Sequence, residues 1–293
     1  MQSESAPLPL RILIGFSPRS ASDDLLRSMA PAFTAALGRE IRIELMPGEL
    51  GAIAARALIA SPADGNTLLV ATFGTHAINP NLRSDLGYDP LRDFAPVCLA
   101  TRSPLVLGTR LSLGVNNVQA LIELAARQTL TYGSSGTGSA PYLAGLLFEK
   151  LTGVKLLHRA YPDTRDLYVA LGEGSLDLSF NNVATMLAPV RAGQLRALAV
   201  TTPVRCTALP QVPTLEEAGL SGYALNNWLG FVAPAGTSTQ AIAWLNQAIA
   251  EALKAPETQA LLRENGIDEV SGTAQQFARH LDDELTRWAW LRG

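Results

Sequence analysis

Apolar residues follow two rhythms along this chain. Short runs rich in branched residues, such as "LRILIGF", "EIRIELM" and "GNTLLVATF", alternate with longer stretches in which apolar positions recur every three or four residues. This alternation predicts an α/β fold with largely parallel sheets. In a first unit, "LRILIGF" is a strand and "SDDLLRSMAPAFTAALG" a helix, with Ser22 as N-cap and Gly38 as stop. "EIRIELM" follows as a strand, "PGELG" as a turn, "AIAARALIAS" as a helix and "GNTLLVATF" as a third strand. "FAPVCLA" and "PLVLGT" are strands leading away.

A second unit opens near Leu105. Its helices are "NVQALIELAARQ", "APYLAGLLFEKLTG", "TRDLYVALGEG" and "ATMLAPVRAG", the last interrupted near Pro189. Its strands are "LTYGSS", "KLLHRAY", "LDLSFNN" and "LRALAVTT", and "ALPQVPTLEEAG" is a proline-punctuated loop with a short helix. The last third returns to the first unit with the strand "LGFVAPAG", a helix over "TQAIAWLNQAIAEALKAP" capped by Thr237 or Ser238, and a closing helix "AQQFARHLDDELTRWAWL". The predicted organisation is one lobe over 8–104 plus 230–293 and another over 105–229. Two chain crossings join them, so a ligand is expected in the cleft between.

Composition narrows the function classes. The chain has 293 residues, 47% hydrophobic and 17% charged, with a formal net charge of −3, an ordinary globular balance. Acids and bases are mixed, with no basic stripe, which argues against a nucleic-acid partner. No apolar run approaches the ~18 residues of a membrane-spanning helix. The opening "MQSESAPLPL" has neither a charged n-region nor a continuous apolar core, so it does not read as a signal peptide; the protein is either cytoplasmic or lacks a leader already removed. Cys98 and Cys206 lie in unrelated contexts and are expected to be two free thiols.

Candidate chemistry collects at strand-to-helix turns. "YGSSGTGSAPYL" places Ser134, Ser135, Thr137, Gly138 and Ser139 just before a helix whose first amides are unpaired, a sensible anion seat. It is neither a P-loop nor GxGxxG, and a purely structural turn is the alternative. "GFSPRSASDD" repeats the logic with Phe16, Ser17, Pro18, Arg19, Ser20 and Ala21. Arg19 adds a planar cation suited to a carboxylate, or else it is a solvated arginine paired with Asp23 or Asp24. In "TFGTHAINP", Thr75, His76 and Asn79 are candidates to face the cleft; in "FNNVA", Asn181 and Asn182 can donate and accept, or cap a helix. Polar strand ends converging on one edge of an open sheet mark where α/β folds bind ligands. Catalysis has little support: GxSxG and HExxH are absent, His76, His158 and His280 are scattered, and the paired acids read as caps and solvated faces. No cofactor or metal is expected.

An ordered series of segments gives a more specific signal: "SPADGNTLLVATFGTHAINPNL", "YDPLRDFAPVCLA", "LTYGSSGTGSAPYLAGLLFEKLTGV", "VRAGQLRALAVTT", "LPQVPTLEEAGLSGY" and "APAGTSTQAIAWLNQAI". In these the chain resembles the extracytoplasmic solute receptors of tripartite tricarboxylate transporters, the Bug/TctC-like family, from about Leu10 to Leu291. The resemblance implies a two-lobed periplasmic-binding-protein fold of the type II, Venus-flytrap kind, with two mixed or parallel sheets and a hinge. It further implies a periplasmic monomer that closes on a small organic carboxylate. Its partner would be membrane transporter subunits, which receive the ligand, or a sensor protein.

The chain departs from the family pattern at several turns. The Pro-Pro-Gly-Gly-like first loop is here Ser17-Pro18-Arg19-Ser20-Ala21, and the second turn reads Met46-Pro47-Gly48-Glu49-Leu50-Gly51. Pro141 or Tyr142 replaces a usual histidine. The Tyr-Lys-Gly loop becomes Tyr161-Pro162-Asp163, and an Asp-Asn pair becomes Asn181-Asn182. Losing that carboxylate argues against a ligand bearing an ammonium group. The expected arrangement seats one carboxylate at Ser134–Ser139 and pairs Arg19 with a second acidic or polar group.

Overall fold

The computed structural model describes residues 8–18, 20–161 and 163–292, so Arg19 and Pro162 lie outside the described residues. The chain divides into two compact units, Met1–Thr101 with Trp228–Leu261 and Glu269–Gly293, and Arg102–Asn227 with Leu262–Asp268.

In the first unit, β1 (Leu10–Ile14), α1 (Ala21–Leu37), β2 (Ile41–Leu45), α2 (Ala52–Ile59), β3 (Thr67–Thr72), α3 (Asn79–Leu82) and β4 (Phe94–Ser103) follow in order. The second unit contains β5 (Leu105–Arg110), α4 (Val118–Ala125), β6 (Leu130–Ser134), α5 (Ala140–Thr152), β7 (Leu156–Ala160), α6 (Thr164–Glu173), β8 (Leu178–Asn182), α7 (Val183–Arg191) and β9 (Leu195–Val200). The chain then returns through β10 (Asn227–Pro234), α8 (Thr239–Lys254), α9 (Pro256–Glu264), β11 (Asp268–Glu269) and α10 (Ala274–Arg287).

Each unit is a sheet covered by helices. The first has strand order β11-β4-β10-β3-β1-β2 and the second β7-β6-β8-β5-β9. β1 pairs in parallel with β2 and β3, and β6 with β7 and β8. β10 runs antiparallel to β3, and β5 antiparallel to both β8 and β9. The fold is thus α/β with two mixed sheets, where the apolar pattern predicts largely parallel ones. A strand buried on both faces reads as the same apolar run whichever way it enters the sheet.

The central strands carry the cores. Leu10, Ile12, Leu13 and Ile14 are fully buried in β1, and Phe33 of α1 meets Phe231 of β10 edge-on with centroids 6.2 Å apart. Burying each such side chain contributes about 1.5–3 kcal/mol. In the second unit, Gly145 lets α5 close on β6: a Cβ there would stand 2.3 Å from the Tyr132 ring. Asp177 ties β6 to β5, accepting from Thr131 N–H (2.8 Å), Thr131 Oγ1 (2.9 Å) and the Arg110 guanidinium (2.9 Å).

Several local expectations change. Ser20, not Ser22, caps α1, its hydroxyl accepting the Asp23 amide at 3.4 Å. α7 runs through Pro189 to Arg191 without ending, so the missing amide removes one intrahelical bond but does not break the helix. The segment expected to hold a short helix before Gly219 makes one turn, from Thr214 O to the Ala218 amide, and stops where Gly219 takes φ 100°. A π-helical turn at Gly74–Ile78 and the elements α9 and β11 were not foreseen. Cys98 and Cys206 are free and buried, Cys206 beside Gly266. No described helix is long and apolar enough to cross a membrane, and no metal-holding cluster of His, Cys, Asp or Glu occurs among the described residues.

Candidate functional site

Parallel strands end together, so the loops that follow them crowd one edge of each sheet. In the first unit these are the turns after β1, β2 and β3. Gly15 and Gly51 bring the first two into backbone contact: a Cβ on Gly15 would sit 2.7 Å from Gly51 Cα, and one on Gly51 2.6 Å from Thr75 Cγ2. The turn after β2 is left-handed through four residues, with φ 127° at Gly48, 47° at Glu49, 56° at Leu50 and 91° at Gly51. Two of these carry side chains and are strained. Asn79 Nδ2 donates to Leu50 O (2.9 Å) and Arg56 Nη2 pairs with Glu49 (2.7 Å), holding the turn from two sides. Leu50 itself is 44% exposed.

Of the residues predicted on this edge, Ser17 and Pro18 are exposed, Phe16 and Ser20 are half-buried, Ala21 opens α1, and Arg19 lies outside the described residues. The Ser20 amide also donates to Ser17 O (3.3 Å), closing the turn. Thr75 and His76, expected to face a ligand, turn inward instead. Thr75 Oγ1 takes the Thr72 amide (3.0 Å) and lies 2.8 Å from His76 Nδ1. The His76 ring is fully buried, 4.8 Å from Phe94, and burial pushes its pKa down to about 3. They lie in a π-helical turn whose Thr75, His76, Ala77 and Ile78 are all buried. Tyr88 completes the enclosure, its hydroxyl donating to Thr75 O at 2.6 Å.

In the second unit, strand register brings the predicted residues to one edge. Ser134 is level with Ala160, and the Tyr161 amide donates to Ser134 O (2.8 Å). Tyr132 is level with Leu178 and Gly133 with Ser179, which carries Asn181 and Asn182 to the same end. Tyr161 packs on the apolar cluster that contains Leu167 and Val183.

The loop from Ser134 to Ser139 is built from its own hydroxyls. Gly136 N–H donates to Ser134 Oγ (3.0 Å). Gly136 O receives both the Ser139 amide (3.1 Å) and the Ser139 hydroxyl (2.7 Å), while Ser139 Oγ accepts the Tyr142 amide (3.3 Å). Gly136 and Gly138 take φ 116° and 84°, which their missing Cβ permits. Ser134 is fully buried. The hydroxyls of Ser134 and Ser139, expected as ligand contacts, are therefore spent in shaping the loop. Ser135 and Thr137 are exposed, and the amides of Thr137, Gly138 and Ala140 have no partner among the described residues. Pro141 has no N–H, so Ala140 supplies the last open amide of the first turn of α5.

The remaining predicted residues divide. Asp163 caps α6, its Oδ1 accepting the Arg165 amide at 2.7 Å. Asn181 accepts the Asn182 amide (2.9 Å) and Asn182 accepts from Asn227 (2.9 Å). Neither side chain caps α7, so the capping alternative does not hold. Two features escaped the sequence reading. The left-handed turn at Gly48–Gly51 was visible only as two glycines around Glu-Leu. His158, one of three scattered histidines, sits 2.7 Å from Ser134 Oγ. No local pattern signals it, since β-pairing alone brings it there.

A model of the "Tripartite tricarboxylate transporter family receptor" matches residues 25–291. Protein BugT of Bordetella pertussis is 30% identical over 284 residues, covering 96% of this chain and 87% of the relative. Among solved structures, Rpa4515 of Rhodopseudomonas palustris with adipate superposes with a TM-score of 0.86 at 34% identity, over 97% of this chain and 95% of that one. MatC from the same organism, with bound malate, gives 0.86 at 28% identity over 97% and 99%. Periplasmic binding protein BugD gives 0.84 at 25% identity over 97% and 96%. With a receptor model matched over nearly its whole length, and with two mixed α/β sheets, this chain belongs to the tripartite tricarboxylate transporter receptor family.

Proposed function

We propose that the protein is a periplasmic receptor that captures a small organic carboxylate and delivers it to a tripartite tricarboxylate-type membrane transporter. The observation that carries this reading is the loop after β6. The Ser134 and Ser139 hydroxyls are engaged internally, while the exposed hydroxyls of Ser135 and Thr137 and the amides of Thr137, Gly138 and Ala140 are left in the loop leading into a 13-residue helix. Oriented N–H groups at a helix start favour negative charge without needing a cation. Relatives solved with adipate and malate support a carboxylate as the class of ligand.

Thr137, Gly138 and Ala140 are the proposed amide donors, with Ser135 and Thr137 adding hydroxyls and Asn181 and Asn182 their NH2 groups. Arg19 is the proposed partner for a second acidic group. Binding needs no covalent chemistry and no cofactor.

A thermal-shift screen with mono- and dicarboxylic acids, adipate and malate included, tests the reading. A ligand specific to the folded state raises apparent stability by ~2.7 kcal/mol at a hundredfold excess over Kd. Failure of every acid to shift the transition at millimolar concentration sinks the proposal. Against an acid that does bind, calorimetry on Arg19→Ala is expected to show affinity lower by roughly tenfold to a hundredfold. Loss of uptake of that acid in a deletion strain separates transport from sensing.

A further inference from the structure

Ser134 and His158 stand 24 residues apart in sequence and 2.7 Å apart in space. Tyr132 is directly level with His158 in the parallel β6–β7 pairing, and Ser134 follows two residues later, so Ser134, Tyr132 and His158 share one face of the sheet. The imidazole is held between two rings, with centroids 4.9 Å from Tyr132 and 4.9 Å from Tyr142.

The proton positions follow from counting acceptors. Ser134 Oγ already accepts the Gly136 amide at 3.0 Å and has one hydrogen to donate. The other acceptor in reach, Gly136 O, is longer at 3.5 Å and already takes both the amide and the hydroxyl of Ser139. His158 Nε2 is the acceptor that remains. Desolvation lowers the His158 pKa and so favours the neutral ring; the relay uses its Nδ1-protonated tautomer, in which Nε2 accepts.

We infer that His158 is a positioning residue for the carboxylate seat, fixing the Ser134 hydroxyl so that Ser134 in turn clamps the Gly136 amide and presents the Thr137, Gly138 and Ala140 amides in one orientation. The relay runs from Gly136 N–H to Ser134 O–H to His158 Nε2. It rests on the proposed carboxylate seat for its function but not for its structure. His158 touches no ligand in this scheme; it acts only through Ser134.

Three substitutions separate the relay from simple packing. His158→Phe keeps a ring between Tyr132 and Tyr142 but cannot accept a hydrogen bond. His158→Gln gives up the ring but restores an acceptor. Ser134→Ala removes the middle link. Hydrogen exchange over residues 134–139 reads the loop without any ligand, and calorimetry with adipate reads the seat. Exchange at the Gly136 amide is expected to quicken about three- to tenfold in His158→Phe and Ser134→Ala, and to return toward wild type in His158→Gln. Adipate affinity should fall by a similar factor in the first two, and the double variant should lose no more than either single one.

If exchange in His158→Phe matches wild type, or if His158→Gln is no better than His158→Phe, the relay is wrong. A loss of affinity in His158→Phe that Ser134→Ala does not share also overturns it, since His158 would then act directly. If the wild-type protein binds no carboxylate, the functional reading fails while the exchange data still judge the relay. Should His158→Phe not fold, His158→Leu, which also lacks an acceptor, carries the same exchange test.

Discussion

Both units end their parallel strands in glycine-bearing turns, but the two edges are built by different forces. At the edge of the first sheet the turns are fixed by steric contact. Gly15 and Gly51 touch backbone to backbone, Thr75 closes over Gly51, and four successive residues hold positive φ. At the edge of the second, the loop after β6 is fixed by hydrogen bonds among Gly136, Ser134, Ser139 and Tyr142. Its Gly136 has open space where a Cβ would go, so packing does not dictate the shape there. A contact-built edge fails as soon as one methyl group is added. A hydrogen-bonded edge leaves room around its backbone, though Gly136 and Gly138 still need their positive φ, and it answers to the loss of a single polar atom.

The largest expected effect lies on the first edge. Gly15→Ala forces a Cβ to within 2.7 Å of Gly51 Cα, and backbone cannot swing aside as a flexible side chain can. A loss of about 3 kcal/mol is expected in urea unfolding. If Gly15→Ala unfolds at the wild-type midpoint, the steric account of this edge is wrong.

Next comes the pH dependence that the inward-turned His76 imposes. Its folded pKa is pushed down to about 3 by burial, below the ordinary 6.5. Between those values the unfolded chain binds the proton and the folded chain does not, so stability is fully present above pH 6.5 and is lost as pH falls. One such group gives a slope of at most about 1.4 kcal/mol per pH unit. His76→Phe, which keeps a ring against Phe94, should flatten the slope of stability between pH 6.5 and 5 relative to wild type. An unchanged slope would place His76 in contact with water and restore it as a candidate for the site.

The smallest effect belongs to the second edge. Ser139→Ala removes the α5 cap and one of the bonds to Gly136 O, and about 1 kcal/mol of stability should go with them. Its effect on carboxylate affinity should be proportionally greater than on unfolding, because the loop loses its shape while the core beneath stays packed. If Ser139→Ala costs as much stability as Gly15→Ala, the contrast between the two edges collapses.

What the sequence determined by itself was considerable. Hydrophobic spacing marks the α/β class and nearly every long helix, and turn chemistry places Ser134–Ser139 and Asn181–Asn182 at strand ends. Helix stops such as Gly38 and Gly153 take the left-handed conformation that a glycine there predicts. These are local properties, set by which face of a segment is apolar and which residues tolerate a bend. What a polar group bonds to is not local. His76 reads as a loop residue, yet a π-helical turn aims it into an aromatic enclosure. Ser134 reads as a ligand contact, yet strand pairing brings His158 to its hydroxyl and the chain's own amide to its oxygen. Gly15 and Gly51 read as separate punctuation until two strands are laid side by side. Tertiary structure decided these because a hydroxyl, an imidazole or a missing Cβ takes its meaning from whatever is within about 3 Å, and sheet register, not sequence distance, supplies that neighbour.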